Sequence, residues 1–144
     1  MIDLLAADPI VAQATPAGAG AVGIIRVSGA GASAIVGSLL GPADRGLWEA
    51  QPTRILQLYT LHDPATGAAL DEALVVRFVA PHSFTGEEVV EIQGHGSPVV
   101  MDAVVQACVK AGARLAERGE FSYRAFRNGK LDLSEAEGLQ ALAS

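Results

Sequence analysis

Apolar and polar positions change their period along this chain, and the changes mark its elements. Residues 10 to 15 (IVAQAT) and 21 to 28 (AVGIIRVS) are short, apolar and partly β-branched, the character of strands. The glycine-rich PAGAG at 16 to 20 separates them as a turn. Over 30 to 40, Ile35, Val36, Leu39 and Leu40 recur at helical spacing until Gly41 and Pro42 stop them. A polar loop is expected at 42 to 53, holding the only tryptophan, Trp48. Residues 55 to 62 and 73 to 80 form the two arms of a hairpin joined by DPATGAALDE, whose Asp-Pro and Thr-Gly pairs mark a turn. A further strand, Val89 to Ile92, breaks at Gly94 and Gly96. The longest helix covers 99 to 111, with Val100, Val104, Cys108 and Ala111 on one stripe and Gly112 as its stop.

A short extended piece at 113 to 116 follows. Gly119 and Glu120 then open a brief helix through Arg127, ended by the turn dipeptide Asn128-Gly129. Ser134 and Glu137 have the spacing of a capping box for a last helix. That helix meets no stop signal before Ser144, so the chain is expected to be a piece of a longer protein. The order β-β-α-β-β-β-α with C-terminal helices does not alternate strand with helix, which excludes a doubly wound sheet. It predicts an α+β layer of mainly antiparallel sheet with helices on one side. A weakly held first strand would be able to pair with the sheet edge of a second subunit, giving a symmetric dimer.

Composition narrows the class. The 144 residues are 50% hydrophobic and only 18% charged, a globular balance that sets disorder aside. No apolar run reaches the roughly 18 residues of a membrane span, and no basic-then-apolar leader opens the chain, so a cytoplasmic location is expected. Net charge is −6, which argues against a surface that grips nucleic acid throughout. Arg114, Arg118, Arg124, Arg127 and Lys130 nevertheless crowd together, with Glu117 and Glu120 among them. Such a cluster is either a solvated helix face or a patch for a small anion. PAGAG lacks the Lys-Ser/Thr of a P-loop and the rest of a dinucleotide fingerprint, so neither is present. Cys108, the single cysteine, sits among Val104, Val105 and Val109 as a small buried hydrophobe.

Two charges are out of place. Glu91 interrupts the Val/Ile run of its strand, sharing a face with Val89, Gln93 and His95, and Arg26 interrupts AVGIIRVS. A buried carboxylate needs a partner, and a guanidinium cannot discharge to escape burial. Either residue meets water on the polar face or at the end of its strand, or each contacts a ligand. His95 with Glu91 falls short of a metal site, having no third ligand near in sequence, and His62 and His82 are expected at loops or strand ends.

Three stretches, IVAQATPAGAGAVGIIRVSG (10 to 29), APHSFTGEEVVEIQGHGSP (80 to 98) and ERGEFSYRAFRNGKLDLSEAEGLQAL (117 to 142), resemble the N-terminal domain of the tRNA-modification GTPase family known as MnmE or TrmE. The resemblance runs in order through nearly the whole chain and is weakest around Trp48. Ser97 stands where the family usually has a second Gly, and Arg118 where it usually has Pro.

The resemblance implies a tetrahydrofolate-binding fold related to the folate domains of aminomethyltransferases, and a homodimer formed through it. It implies folate contacts at Arg26, Glu91 and Lys130, no catalytic residue and no metal site in this stretch. Residues 1 to 119 would be the folate-binding and dimerisation domain, and 120 to 144 the start of a helical domain. The whole protein would carry an inserted G domain binding GTP, Mg and K. With a flavoprotein partner it would modify the tRNA wobble uridine by (carboxymethyl)aminomethylation, using 5-formyl- or 5,10-methylenetetrahydrofolate as the carrier bound here. None of the GTP-binding motifs, nor the family's C-terminal Cys motif, occurs in these 144 residues. Two other classes compete: a purely structural dimerisation module in which Arg26 and Glu91 pair only with each other, and a free-standing folate-dependent aminomethyltransferase.

Overall fold

The computed structural model describes residues 1 to 15, 22 to 132, and 134 and 135. The PAGAG turn and most of the expected last helix, including Glu137, lie outside them. Six strands form one sheet in the order β3-β4-β5-β2-β1-β6. They are β1 (Ile10–Gln13), β2 (Val22–Ser28), β3 (Gln57–His62), β4 (Ala69–Phe78), β5 (Val89–His95) and β6 (Arg114–Leu115). All pairings are antiparallel except β1 with β6. The helices are α1 (Ala32–Gly37), α2 (Pro42–Ala50), α3 (Pro98–Lys110) and α4 (Glu120–Arg127). The α+β class and its mainly antiparallel sheet are as the sequence predicts.

Register divides the sheet into two chemically distinct faces. Val11 lies beside Val27, which lies beside Val90, while Ile25 pairs with Ile92 and Ile92 with Val75. These side chains form a core with Ile35 and Val36 of α1, Trp48 of α2, and Met101, Val104 and Cys108 of α3. Burial drives the Cys108 thiol pKa up to about 12, so it packs as an apolar group and carries no thiolate at neutral pH. The alternate set faces the other way. There the rows Ala12, Arg26, Glu91, Val76 and Ile24, Gln93, Leu74, Leu58 run across neighbouring strands.

Several expectations need correction. The stretch 42 to 53 is not a loop throughout: Pro42 occupies the first turn of α2, where a missing N–H costs nothing, and Asp44 adds a favourable charge there. Trp48 holds this helix down, its ring edge-on to Tyr59 at 5.9 Å and its Nε1 donating to the Ser33 carbonyl at 2.9 Å. β5 does not break at Gly94 but continues to His95, because the missing side chain leaves room for Asp71, whose carboxylate binds the His95 N–H. β4 begins at Ala69, so the hairpin turn is shorter than DPATGAALDE. β1 is not a free edge open to a second subunit, since β2 flanks it on one side and β6 on the other. The N-terminal residues are tied to α4: Tyr123 Oη donates to the Leu4 carbonyl and Arg127 to the Ala6 carbonyl.

Candidate functional site

Arg26 and Glu91 are direct neighbours across the β2 and β5 ladder on the face that α1 to α3 leave uncovered. Arg26 Nε donates to Oε2 of Glu91 at 3.0 Å, and Nη2 stands 2.9 Å from the same oxygen as an ion pair. Their side chains remain 19% and 18% exposed, so the pair is recessed but reachable. Among the described residues, Oε1 of Glu91 accepts no hydrogen bond and Nη1 of Arg26 donates none. A carboxylate acceptor and a guanidinium donor thus stand side by side with capacity left for a flat ligand that presents both kinds of group.

Two aromatic rings frame the pair. The guanidinium carbon of Arg26 lies 4.5 Å from the centroid of Phe84 and 5.6 Å from that of Phe121, within cation–π range. Phe84 comes from the loop between β4 and β5, which is bound back onto β2. Ser28 Oγ donates to Glu87 Oε1 at 2.8 Å, leaving the buried Thr85 hydroxyl to donate to Ser28 Oγ at 2.7 Å. The Gly29 N–H adds a bond to the Glu88 carbonyl, and the Ser33 N–H one to the Glu88 carboxylate. Phe121 comes from α4, whose N-cap Gly119 takes a left-handed φ of 74°.

Lys130 joins the same loop without meeting the pair directly. Asn128 Nδ2 donates to the Thr85 carbonyl at 2.8 Å, drawing the Asn128-Gly129 turn against Gly86. A Cβ on Gly86 would lie 2.8 Å from Asn128 Cβ and 3.3 Å from Lys130 Cγ, and the Gly86 φ is +81°. Gly86→Ala therefore combines a clash with left-handed strain. It is expected to lower stability by roughly 1–3 kcal/mol, read as a shift in the urea midpoint with an unchanged m value.

The basic cluster is neither a solvated helix face nor a free anion patch where Arg114, Arg124 and Arg127 are concerned. Arg124, 1% exposed, binds Asp8 Oδ1 at 3.0 Å, Glu87 Oε1 at 3.2 Å and the Asp8 carbonyl at 2.7 Å. Arg114 bridges Asp8 and Glu120, and Arg127 reaches Glu87. The Arg114 hydrogen bonds hold the Asp8 carboxyl below its ordinary pKa. Burial pushes the Glu120 carboxyl up, but bonds from Arg114 and the Glu117 N–H outweigh it and leave Glu120 lowered. Glu87 thus links the Phe84 loop to α4, which carries Phe121. The i,i+4 spacing of Glu120 and Arg124 was the visible sign of this network; Asp8 and Glu87 gave none, and no periodicity marks Phe84 or Phe121 as neighbours of Arg26.

His95 turns to Asp71 through Nδ1 rather than to Glu91. Among the described residues, no three His, Cys, Asp or Glu side chains gather as a metal site would require. Likewise, no helix among them is long and apolar enough to cross a membrane.

Residues 9 to 130 match the family described as GTP-binding protein TrmE N-terminus. The chain belongs to this family. It is 48% identical over 135 residues to the tRNA modification GTPase MnmE of Thiobacillus denitrificans, covering 94% of this chain and 28% of that protein. The MnmE of Legionella pneumophila is 49% identical over 135 residues, 94% of this chain and 29% of its own length. That of Thermus thermophilus is 46% identical over 140 residues, covering 94% and 31%. The chain therefore spans about three-tenths of the curated relatives it matches, and those relatives are named as GTPases of tRNA modification.

Proposed function

We propose that this TrmE N-terminal domain binds a reduced folate through Arg26, Glu91 and Lys130. The observation that carries the proposal is the Arg26–Glu91 pair itself, recessed on the uncovered sheet face with one carboxylate oxygen and one guanidinium nitrogen unused among the described residues. A pterin presents an N–H and NH2 edge that Glu91 would accept. Arg26 would serve the pterin carbonyl, and Lys130, whose stem lies by Gly86, the one-carbon oxygen or the glutamate tail. The folate, 5-formyl- or 5,10-methylenetetrahydrofolate, supplies a one-carbon unit; the domain's own part is to bind and orient it.

In the full-length protein residues 1 to 119 would form the folate-binding and homodimerisation domain, with Lys130 contributed from the start of a helical domain beginning near 120. Exposed Val22, Leu58 and Leu74 around Gln93 on the uncovered face support such an association. A G domain outside these residues would bind GTP with Mg and K. A flavoprotein partner would join in (carboxymethyl)aminomethylation of the tRNA wobble uridine, in the cytoplasm. Alone, the 144 residues are expected to release no phosphate from GTP; turnover above buffer by the purified chain would refute this.

A second reading is favoured by the same contact. Arg26 and Glu91 bond to each other without a ligand, as a purely structural module would have them do. Calorimetric titration with 5-formyltetrahydrofolate separates the two: the folate site gives saturable heat that Glu91→Gln abolishes or weakens, whereas a structural pair gives none.

A further inference from the structure

We infer that Phe84 occupies, in the ligand-free domain, the face of the Arg26 guanidinium that a flat heteroaromatic ligand takes when it binds. The inference rests on the folate proposal and adds to it a residue that sets entry and affinity. Its ring centroid is the closer of the two to Arg26, at 4.5 Å. Phe84 stands in the wall of a cleft of about 370 Å³ also lined by Arg54, Phe78, His82 and Glu91. It stands as well in the wall of one of about 320 Å³ lined by Ala12, Arg26, Gly119 and Phe121. Phe84 lines both clefts, Glu91 only the first and Arg26 only the second. The ring and the ion pair are therefore the partition between two spaces, and the two charged groups proposed to hold one ligand open into different ones.

The loop around Phe84 favours movement of the ring over movement of the chain. Ser83 Oγ donates to the Glu87 carbonyl, and Thr85 is fully buried with its hydroxyl on Ser28. Phe84 between them is only partly buried. Rotation about its side-chain torsions would join the clefts and uncover the Arg26 face while those anchors stay made. A π system lies well on a guanidinium plane, so a pterin would exchange one such contact for another.

A ring that competes with the ligand reduces affinity by the strength of its own contact, so removing it tightens binding. Calorimetric titration of 5-formyltetrahydrofolate into the wild-type chain, Phe84→Ala and Phe84→Leu tests this, with stopped-flow association alongside. Both variants are expected to bind roughly 3–10-fold more tightly and to associate faster. Phe84→Leu keeps apolar bulk in the loop without a π face, and it decides the matter should the alanine variant fail to fold. Unchanged or weaker binding by the leucine variant, with wild type binding normally, overturns the role of Phe84 and leaves the folate proposal standing. No binding by wild type or either variant overturns the folate proposal and this inference with it.

Discussion

Glu91→Gln is expected to weaken 5-formyltetrahydrofolate binding roughly 10–100-fold while leaving the fold nearly as stable as before. A hydrogen bond to a charged group contributes about 1.5–3 kcal/mol, and glutamine surrenders the charge on it. The amide also turns one acceptor into an NH2 donor, set against the donor edge of the pterin. Stability responds differently, because the Arg26–Glu91 contact is a single ion pair with both side chains 18–19% exposed. Glutamine keeps an oxygen that can accept from Arg26 Nε, so the exchange costs about 0.5–1.5 kcal/mol. Calorimetry beside urea unfolding therefore separates a ligand contact from a structural brace. A variant that unfolds 2 kcal/mol or more sooner, from a wild type that takes up no folate, would establish the brace.

What the sequence disclosed about this site follows from what each residue does locally. Arg26 and Glu91 stood out because each breaks an apolar strand, and strand periodicity put Glu91 on the face opposite Val90 and Ile92. Their meeting stands in the sequence only as one alternative, because it depends on β2 pairing with β5 across more than sixty intervening positions, and register is a property of the sheet. Phe84 was less legible still: an aromatic residue in a loop has no period, and only the anchoring of Ser83 and Thr85 directs it to Arg26. α2 was missed because Gly46 and Pro42 resemble loop residues one at a time, whereas a proline in the first turn and a buried tryptophan one turn from the end are compatible with a helix. The helices α3 and α4 were visible at nearly their observed bounds, since glycines at 112 and 119 mark their ends through positive φ.

Arg124→Met is expected to destabilise the domain by about 3–5 kcal/mol at neutral pH. Methionine keeps much of the apolar stem but leaves Glu87, 10% exposed, and the fully buried Glu120 with one cation fewer. The pH dependence identifies the cause. Asp8 and Glu120 have folded pKa values lowered from about 3.8 and 4.5, so their stabilising effect is complete above those values and is lost as pH falls through the folded ones. Wild type should therefore lose stability steadily as the pH falls below about 5. In the variant Asp8 and Glu120 lose only the smaller, Arg124 share of that lowering while Arg114 still supplies the larger, so the gap between the two proteins should be widest near pH 7 and narrow modestly below about pH 4. Urea midpoints measured at pH 7, 5 and 3.5 would show this convergence. A gap under about 1 kcal/mol, or one that stays constant with pH, would mean the arginine acts as an ordinary surface charge. The network would then not be what holds α4, and Phe121 with it, beside Arg26.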